Sequence, residues 1–327
     1  MTAEPVGKDV GMTPTTTTAG RVGRTASHPR RRSEMLTGWG FVAPFAILFA
    51  FCFLIPIGVS IYSSFFRAIP AGGGLFGGGE LVNKFVGFQN YAEIIQGSAF
   101  WVGMGRVLLF GIVQVPVMIF SALGLALLLD SLLVKRAGGL RLGFFLPYAI
   151  PGVVAALLWT YIYNPQFSPI NQALAVFDVQ INFFDPRLVL WSMANMTTWT
   201  FTGYNMLIFL AALQAIPTDQ YDAARIDGAS EWTIMREIKV PQVRGAALLS
   251  VLLSIIGTVQ LFNEPTVMQT VNTGMGNDYM PMMMAYNTMM GSISPSGDGP
   301  ASAISILMAL IAGVMAAGYA FLQRRVD

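Results

Sequence analysis

Six side chains in the second half of the chain have the chemistry to handle a polar ligand: Trp199, Tyr204, Asn205, Gln260, Asn263 and Glu264. Aromatic faces suit the C–H surfaces of a sugar, and amides suit its hydroxyls. All six lie in or beside apolar runs, so the alternative is that they hold one helix to another. Gln260 and Asn263 are three apart, which puts them on one face of a continuous helix. Covalent chemistry has less to work with. The one histidine, His28, sits in a polar tail, and the one cysteine, Cys52, sits in an apolar run. Disulfides within the chain and thiolate metal sites are therefore excluded. No nucleophile–base pair or ligand cluster falls in the apolar spans, so no catalytic or metal site is expected and a membrane enzyme is disfavoured. The glycine cluster AGGGLFGGG lacks a following Gly-Lys-Ser/Thr, so it is no phosphate-binding loop. Met280–Met290, MPMMMAYNTMM, offers thioethers that suit copper(I) but no Cys or His beside them. It reads as adaptable packing against a partner.

A second constellation is charged. Tyr221–Pro241, YDAARIDGASEWTIMREIKVP, carries Asp222, Asp227, Glu231 and Glu237, with Asp219 just before, and Arg225, Arg236 and Lys239. The pattern predicts helix–turn–helix. Pro217 starts it and Asp219 caps the first helix. Gly228 supplies a turn where a Cβ would be strained. Glu231–Val240 is the second helix, ended by Pro241. Ala223, Ala224 and Ala229 leave a surface of small residues that another protein can approach closely.

The elements that must position these groups are membrane spans. Hydrophobic residues make up 54% of the 327 and charged residues 11%, against about 25% charged in soluble domains. With a mean hydropathy of +0.59, a soluble fold is excluded, and a net charge of +2 gives no case for nucleic acid. Residues 1–38 predict a disordered tail. The membrane domain, 39–327, has apolar runs at about 41–66, 103–129, 142–163, 189–213, 245–263 and 301–322, each near the length of about 20 residues that crosses a bilayer. The first is too long for a signal peptide's apolar core and tolerates Pro44 and Pro56 near its ends. Between the first two spans we expect a flexible glycine-rich connection and a short surface helix within FVGFQNYAEII. Asn195, Thr197, Thr198, Thr200, Thr202 and Asn205 make the fourth span too polar to face lipid all round.

Orientation follows from the bases. Fifteen Lys and Arg lie in the N-terminal tail, the 130–141 loop, the 214–244 loop and the C-terminus, against Arg67, Lys84 and Arg187 on the other side. Positive charge marks the cytoplasmic side, so both termini and the charged loop are expected there. Six spans also require both termini on one side. An ion-coupled secondary transporter needs ionisable groups inside the bilayer, and only Arg106 and Glu264 come near, both close to span ends.

AIPTDQYDAARIDGASEWTIMREIKVPQV resembles the EAA loop of ABC importer permeases: E-A-A, about three residues, D-G-A, then I-x-x-P. The matching positions are Asp222, Ala223, Ala224, Asp227, Gly228, Ala229, Ile238 and Pro241, with Asp222 where the family usually has Glu. The preceding Ala215-Ile216-Pro217 fits the carbohydrate branch. The resemblance runs over roughly 36–325, including FVAPFAILFAFCFLIPIGVSIYSSF, LPYAIPGVVAALLW and GPASAISILMALI. It is similar to the permeases of the maltose and glycerol-phosphate type, specifically the first of their two permease subunits. The resemblance implies an all-α polytopic membrane protein with six transmembrane helices and the type I ABC importer permease fold, in the cell membrane. It implies a second, homologous permease subunit, two ATPase subunits that bind ATP and Mg, an extracytoplasmic solute-binding protein, and no cofactor in this chain. It also implies a substrate path along the spans flanking the loop, where Gly203, Tyr204, Gln260 and Asn263 match best. The expected substrate is a sugar, mono- or oligosaccharide; a glycerol-phosphate-type substrate is the alternative.

Overall fold

The computed structural model describes residues 30–71, 80–131 and 137–323. Two compact units divide the chain, Met1–Ile55 and Pro56–Asp327. In the first, α1 (Arg30–Phe49) runs into a π-helical turn, Ala50–Leu54. Residues 30–38, expected in the disordered tail, are thus helical, while residues 1–29 lie outside the described residues, as do the glycine cluster at 72–79, Lys135, Arg136, Arg324 and Arg325. Phe45, Phe49 and Phe53 stack at four-residue spacing with centroids 5.9 and 5.4 Å apart, an arrangement that helical i,i+4 neighbours allow.

The second unit takes in α2 (Ile55–Ser63) from Pro56 onward. Next comes a two-stranded antiparallel hairpin, β1 (Phe66–Ala71) with β2 (Glu80–Phe85), Phe66 facing Phe85 and Ala71 facing Glu80. The expected flexible connection is therefore partly a paired ribbon. Its base is pinned by α3 (Gln89–Gln96), the expected short helix. There the buried Asn90 amide donates to the Ser64 and Phe66 carbonyls at 2.7 and 3.0 Å, and Arg67 donates to Glu93 at 2.7 Å. A buried amide with both donors used holds the ribbon's entry in one geometry.

The rest of the unit is α4 (Ser98–Asp130), α5 (Ala137–Ala149), α6 (Gly152–Tyr163), α7 (Pro169–Leu174), α8 (Val189–Gln214), α9 (Thr218–Ile226), α10 (Glu231–Ile234), α11 (Val240–Gln242), α12 (Arg244–Val259), α13 (Asn263–Val271), α14 (Pro281–Met289) and α15 (Asp298–Gln323). Among the described residues, three helices, Thr37–Ser63, Ser98–Asp130 and Asp298–Phe321, are long and apolar enough to cross a membrane alone, and the number rises to as many as six if each bent pair counts as one span. The expected continuous third span is such a pair. It bends by 96° between Ala149 and Gly152, where Pro151 caps α6 and disfavours helix at the residue before it.

Two cores hold the unit. In one, Ala122 and Ala126 of α4, both fully buried, let α8 approach so that Met206, Phe209 and Leu213 fill the gap. In the other, Met280 and Met283 are fully buried beside Phe100, Met104 and Met268. Met280 and Met283 thus pack into this chain's own core, where unbranched thioethers fill irregular space, while Met289 and Met290 at the other end of the segment are exposed.

The fourth span's polarity is satisfied largely within the helix. Thr197 Oγ1 donates to the Ala194 carbonyl at 3.0 Å, Thr200 to Met196 at 2.9 Å and Thr202 to Thr198 at 2.5 Å. This back-bonding lets Thr sit in an apolar span without an orphaned hydroxyl. Asn195 instead reaches Tyr163 Oη at 2.8 Å.

Candidate functional site: a charged loop joined to a polar cavity

The charged segment folds as the sequence predicts in kind, with three differences in detail. α9 follows α8 after Ala215–Pro217 at a bend of 68°. Its N-cap is Pro217, and Asp219 lies in the first turn instead of capping it, a position the helix dipole favours for a carboxylate. The turn is a Schellman motif: Ala229 N–H donates to the Ala224 carbonyl at 2.9 Å and Gly228 N–H to Arg225 at 3.1 Å. Gly228 sits at φ +82°. The second helix is capped by Ser230, whose Oγ accepts from Thr233 N–H at 3.2 Å. Sequence reasoning overlooked that cap, although a serine directly before the run is its usual signal.

Pro241 does not end the helix. A π-helical turn, Met235–Lys239, precedes it, and α11 passes through it to Val243 before bending 57° into α12. A proline clashes with the carbonyl four residues back, here that of Glu237 inside the widened turn. The π turn Ala50–Leu54 stands in the same relation to Pro56.

Around Gly228, Arg225 donates to Asp222 at 3.2 Å and to Glu231 at 3.0 Å, clasping the two helices together. Asp222, Ala223, Asp227, Gly228 and Pro241 are exposed, and Ala224, Ala229 and Ile238 half-buried. Ile226 and Trp232 are 87% and 68% exposed, whereas Ile216, Ile234 and Val243 are buried. One face is therefore anchored, and the other presents charge, small residues and two large apolar side chains.

The two spans that carry the loop also line a cavity of about 250 Å³. Its wall includes Phe110 and Gln114 of α4, Tyr148 of α5, Tyr204 and Asn205 of α8, and Ser254 of α12. The rings of Tyr148 and Tyr204 stack with centroids 4.7 Å apart and planes 20° apart. Gln114 and Asn205 both donate to the Met118 thioether, at 3.4 and 3.7 Å, and Asn205 also donates to the Phe201 carbonyl at 3.0 Å. Every side chain lining this cavity is uncharged. Gln114, Tyr148 and Ser254 escaped the sequence reading. Gln114 is the sole amide in its span and carried the same signal as Asn205.

Of the predicted pathway residues, Tyr204 and Asn205 reach the cavity and the others lie elsewhere. Gly203 is buried where α5 crosses α8, and a Cβ there would overlap the Phe144 carbonyl. Trp199 meets Trp159 edge-on at 5.7 Å. Gln260 and Asn263 do not share a helix face, because α12 stops at Val259 and α13 starts at Asn263. Gln260 is exposed. Asn263 packs over Gly152, where an added Cβ would come within 2.5 Å of its amide nitrogen. Glu264 is buried at the start of α13. Arg106 donates to the Tyr279 carbonyl at 3.0 Å and lies 4.2 Å over the Tyr279 ring, so its guanidinium is already engaged.

Comparison with known proteins gives this arrangement a family. The model of the binding-protein-dependent transport system inner membrane component family matches residues 122–327. A probable ABC transporter permease of Pyrococcus horikoshii is 30% identical over 275 residues, 82% of this chain and 92% of the relative. The lactose transport system permease of Rhizobium radiobacter is 29% identical over 285 residues, 86% of this chain and 92% of the relative. Among solved structures, a bacterial ABC transporter involved in import of the acidic polysaccharide alginate has the same fold. Its TM-score is 0.71 at 18% identity, covering 91% of this chain and 99% of that one. The charged loop, its two flanking spans and over half the chain fall within the family match, and the chain belongs to the binding-protein-dependent transport system inner membrane components, as an ABC transporter permease.

Proposed function

We propose that this permease carries a neutral sugar into the cytoplasm. ATP, with Mg, is hydrolysed on two separate ATPase subunits, a second homologous permease completes the channel, and an extracytoplasmic solute-binding protein delivers the substrate. Both termini and the charged loop face the cytoplasm, in keeping with the asymmetry of basic residues. The loop's motif, Asp222, Ala223, Ala224, Asp227, Gly228, Ala229, Ile238 and Pro241, is the docking element for an ATPase.

The observation that carries the sugar reading is the cavity. A stacked pair of tyrosines, two amides and hydroxyls of Ser and Thr line it without a charged side chain. Rings and neutral donors and acceptors in one pocket match a carbohydrate. The lactose transport permease relative supports the same class. A glycerol-phosphate-type substrate is disfavoured because Arg106 is held by Tyr279. Uptake of labelled neutral sugars and of glycerol phosphodiesters by membranes carrying the assembled transporter tests the reading. Uptake of at least one neutral sugar is expected; transport confined to phosphodiesters would contradict it.

A further inference from the structure

The charged loop is joined by the chain to α8 and α12, yet it is also tied to α4, which is remote from it in sequence. Lys239 Nζ lies 2.6 Å from Asp130 Oδ2, with the two side chains only 12% and 16% exposed. Asp130 is the last residue of α4, where a carboxylate faces the negative end of the helix dipole and needs a cation beside it. Lys239 closes the π-helical turn of the loop, an irregularity that is frequent at functional places. Its ammonium also lies 5.1 Å from the centre of the Tyr221 ring on α9. One cation thus joins both halves of the loop to α4. The other charges in the same hollow, Asp222, Arg225 and Glu231, pair with one another.

From Asp130, α4 runs back without interruption to Gln114 and Phe110 in the cavity wall, about 24 Å away for Gln114 and about 30 Å for Phe110. We propose that Asp130–Lys239 is a positioning pair through which displacement of the loop moves α4, so that the α4 wall of the cavity shifts together with its α8 and α12 walls. The proposal rests on the reading that the loop docks an ATPase. With the pair broken, a moving loop pulls only the two spans continuous with it, and ATP is hydrolysed without the cavity reopening to the other side. Coupling of this kind needs a stiff connection with distinct positions.

The test uses the complete transporter, reconstituted with its ATPase and binding protein, and reads the ratio of sugar transported to ATP hydrolysed. Asp130→Asn and Lys239→Met are each expected to lower that ratio by about tenfold, within the usual range of coupling between sites, while the ATPase subunit still co-purifies as in wild type. Asp130→Glu keeps the charge and is expected to keep most of the ratio. A wild-type ratio in Asp130→Asn overturns the proposal. Loss of the ATPase subunit from Asp130→Asn alone also overturns it, because the pair is then a structural tie. If no ATPase co-purifies even with the wild-type chain, the docking reading fails first and the proposal falls with it.

Discussion

Single residues set the cavity and the crossings around it. Tyr204→Ala removes one ring of the stacked pair with Tyr148, and such pairs contribute about 0.5–1.5 kcal/mol beyond buried area. Sugar uptake should show a KM raised by about two- to twelvefold with the protein still inserted, measured as initial rate against concentration. Gly203→Ala acts differently. Its methyl would meet the Phe144 carbonyl at the α5–α8 crossing, and overpacking costs about 1–3 kcal/mol. A lowered melting temperature in detergent is expected, whereas an unchanged one would contradict the crossing. Outside the spans, the Arg67 guanidinium beside Glu93 holds that carboxyl below its ordinary value. A carboxyl lowered on folding contributes stability that is present above its unfolded pKa, about 4.3, and lost as pH falls through the folded value. The melting temperature should therefore drop below pH 4 by a larger step in wild type than in Glu93→Gln. The step should be small, because Glu93 is 40% exposed and such pairs contribute about 0–1 kcal/mol.

At the scale of elements, the legible features were those encoded locally. Apolar length marked the helices Thr37–Ser63, Ser98–Asp130 and Asp298–Phe321, and Gly228 between two polar helix-formers marked the turn. Breaks inside apolar runs were harder to read. The bend after Ala149 is marked by the dipeptide Pro151-Gly152, a turn signal, whereas Pro44 and Pro116 sit within helices that continue, so a proline alone does not say whether a span bends. Nothing apolar or polar in TVQLFNEP marks the stop after Val259, and the pairing of Gln260 with Asn263 was lost there. The cavity depended on long-range placement: Tyr148 is meaningful only because the bend turns α5 against α8. Ser230→Ala removes the cap of α10 and should cost the loop about 1 kcal/mol. It should loosen ATPase retention modestly in a salt-wash series, and a wild-type salt profile would deny the cap any part in presenting the loop.

For the whole molecule, the proposed function has a rigid helical loop converting the movement of an ATPase into movement of the cavity lined by Gln114, Tyr148, Tyr204 and Asn205. The loop's joins support this, since α8 leads into α9 after Ala215–Pro217 and α11 into α12 across Val243 alone. Gly228 is where the loop can be altered without touching a span. It has φ +82° and open space around it, so a substitution there strains the backbone and crowds nothing else. Gly228→Asp also sets a further carboxylate beside Asp227. The most direct measurement is sugar-stimulated ATP hydrolysis, with ATPase co-purification, for wild-type and Gly228→Asp permease reconstituted side by side. We predict that the mutant inserts normally but loses either the ATPase subunit or the stimulation by sugar-loaded binding protein. Retention of both at wild-type level would contradict the account, since the loop would then not be the element that couples hydrolysis to transport.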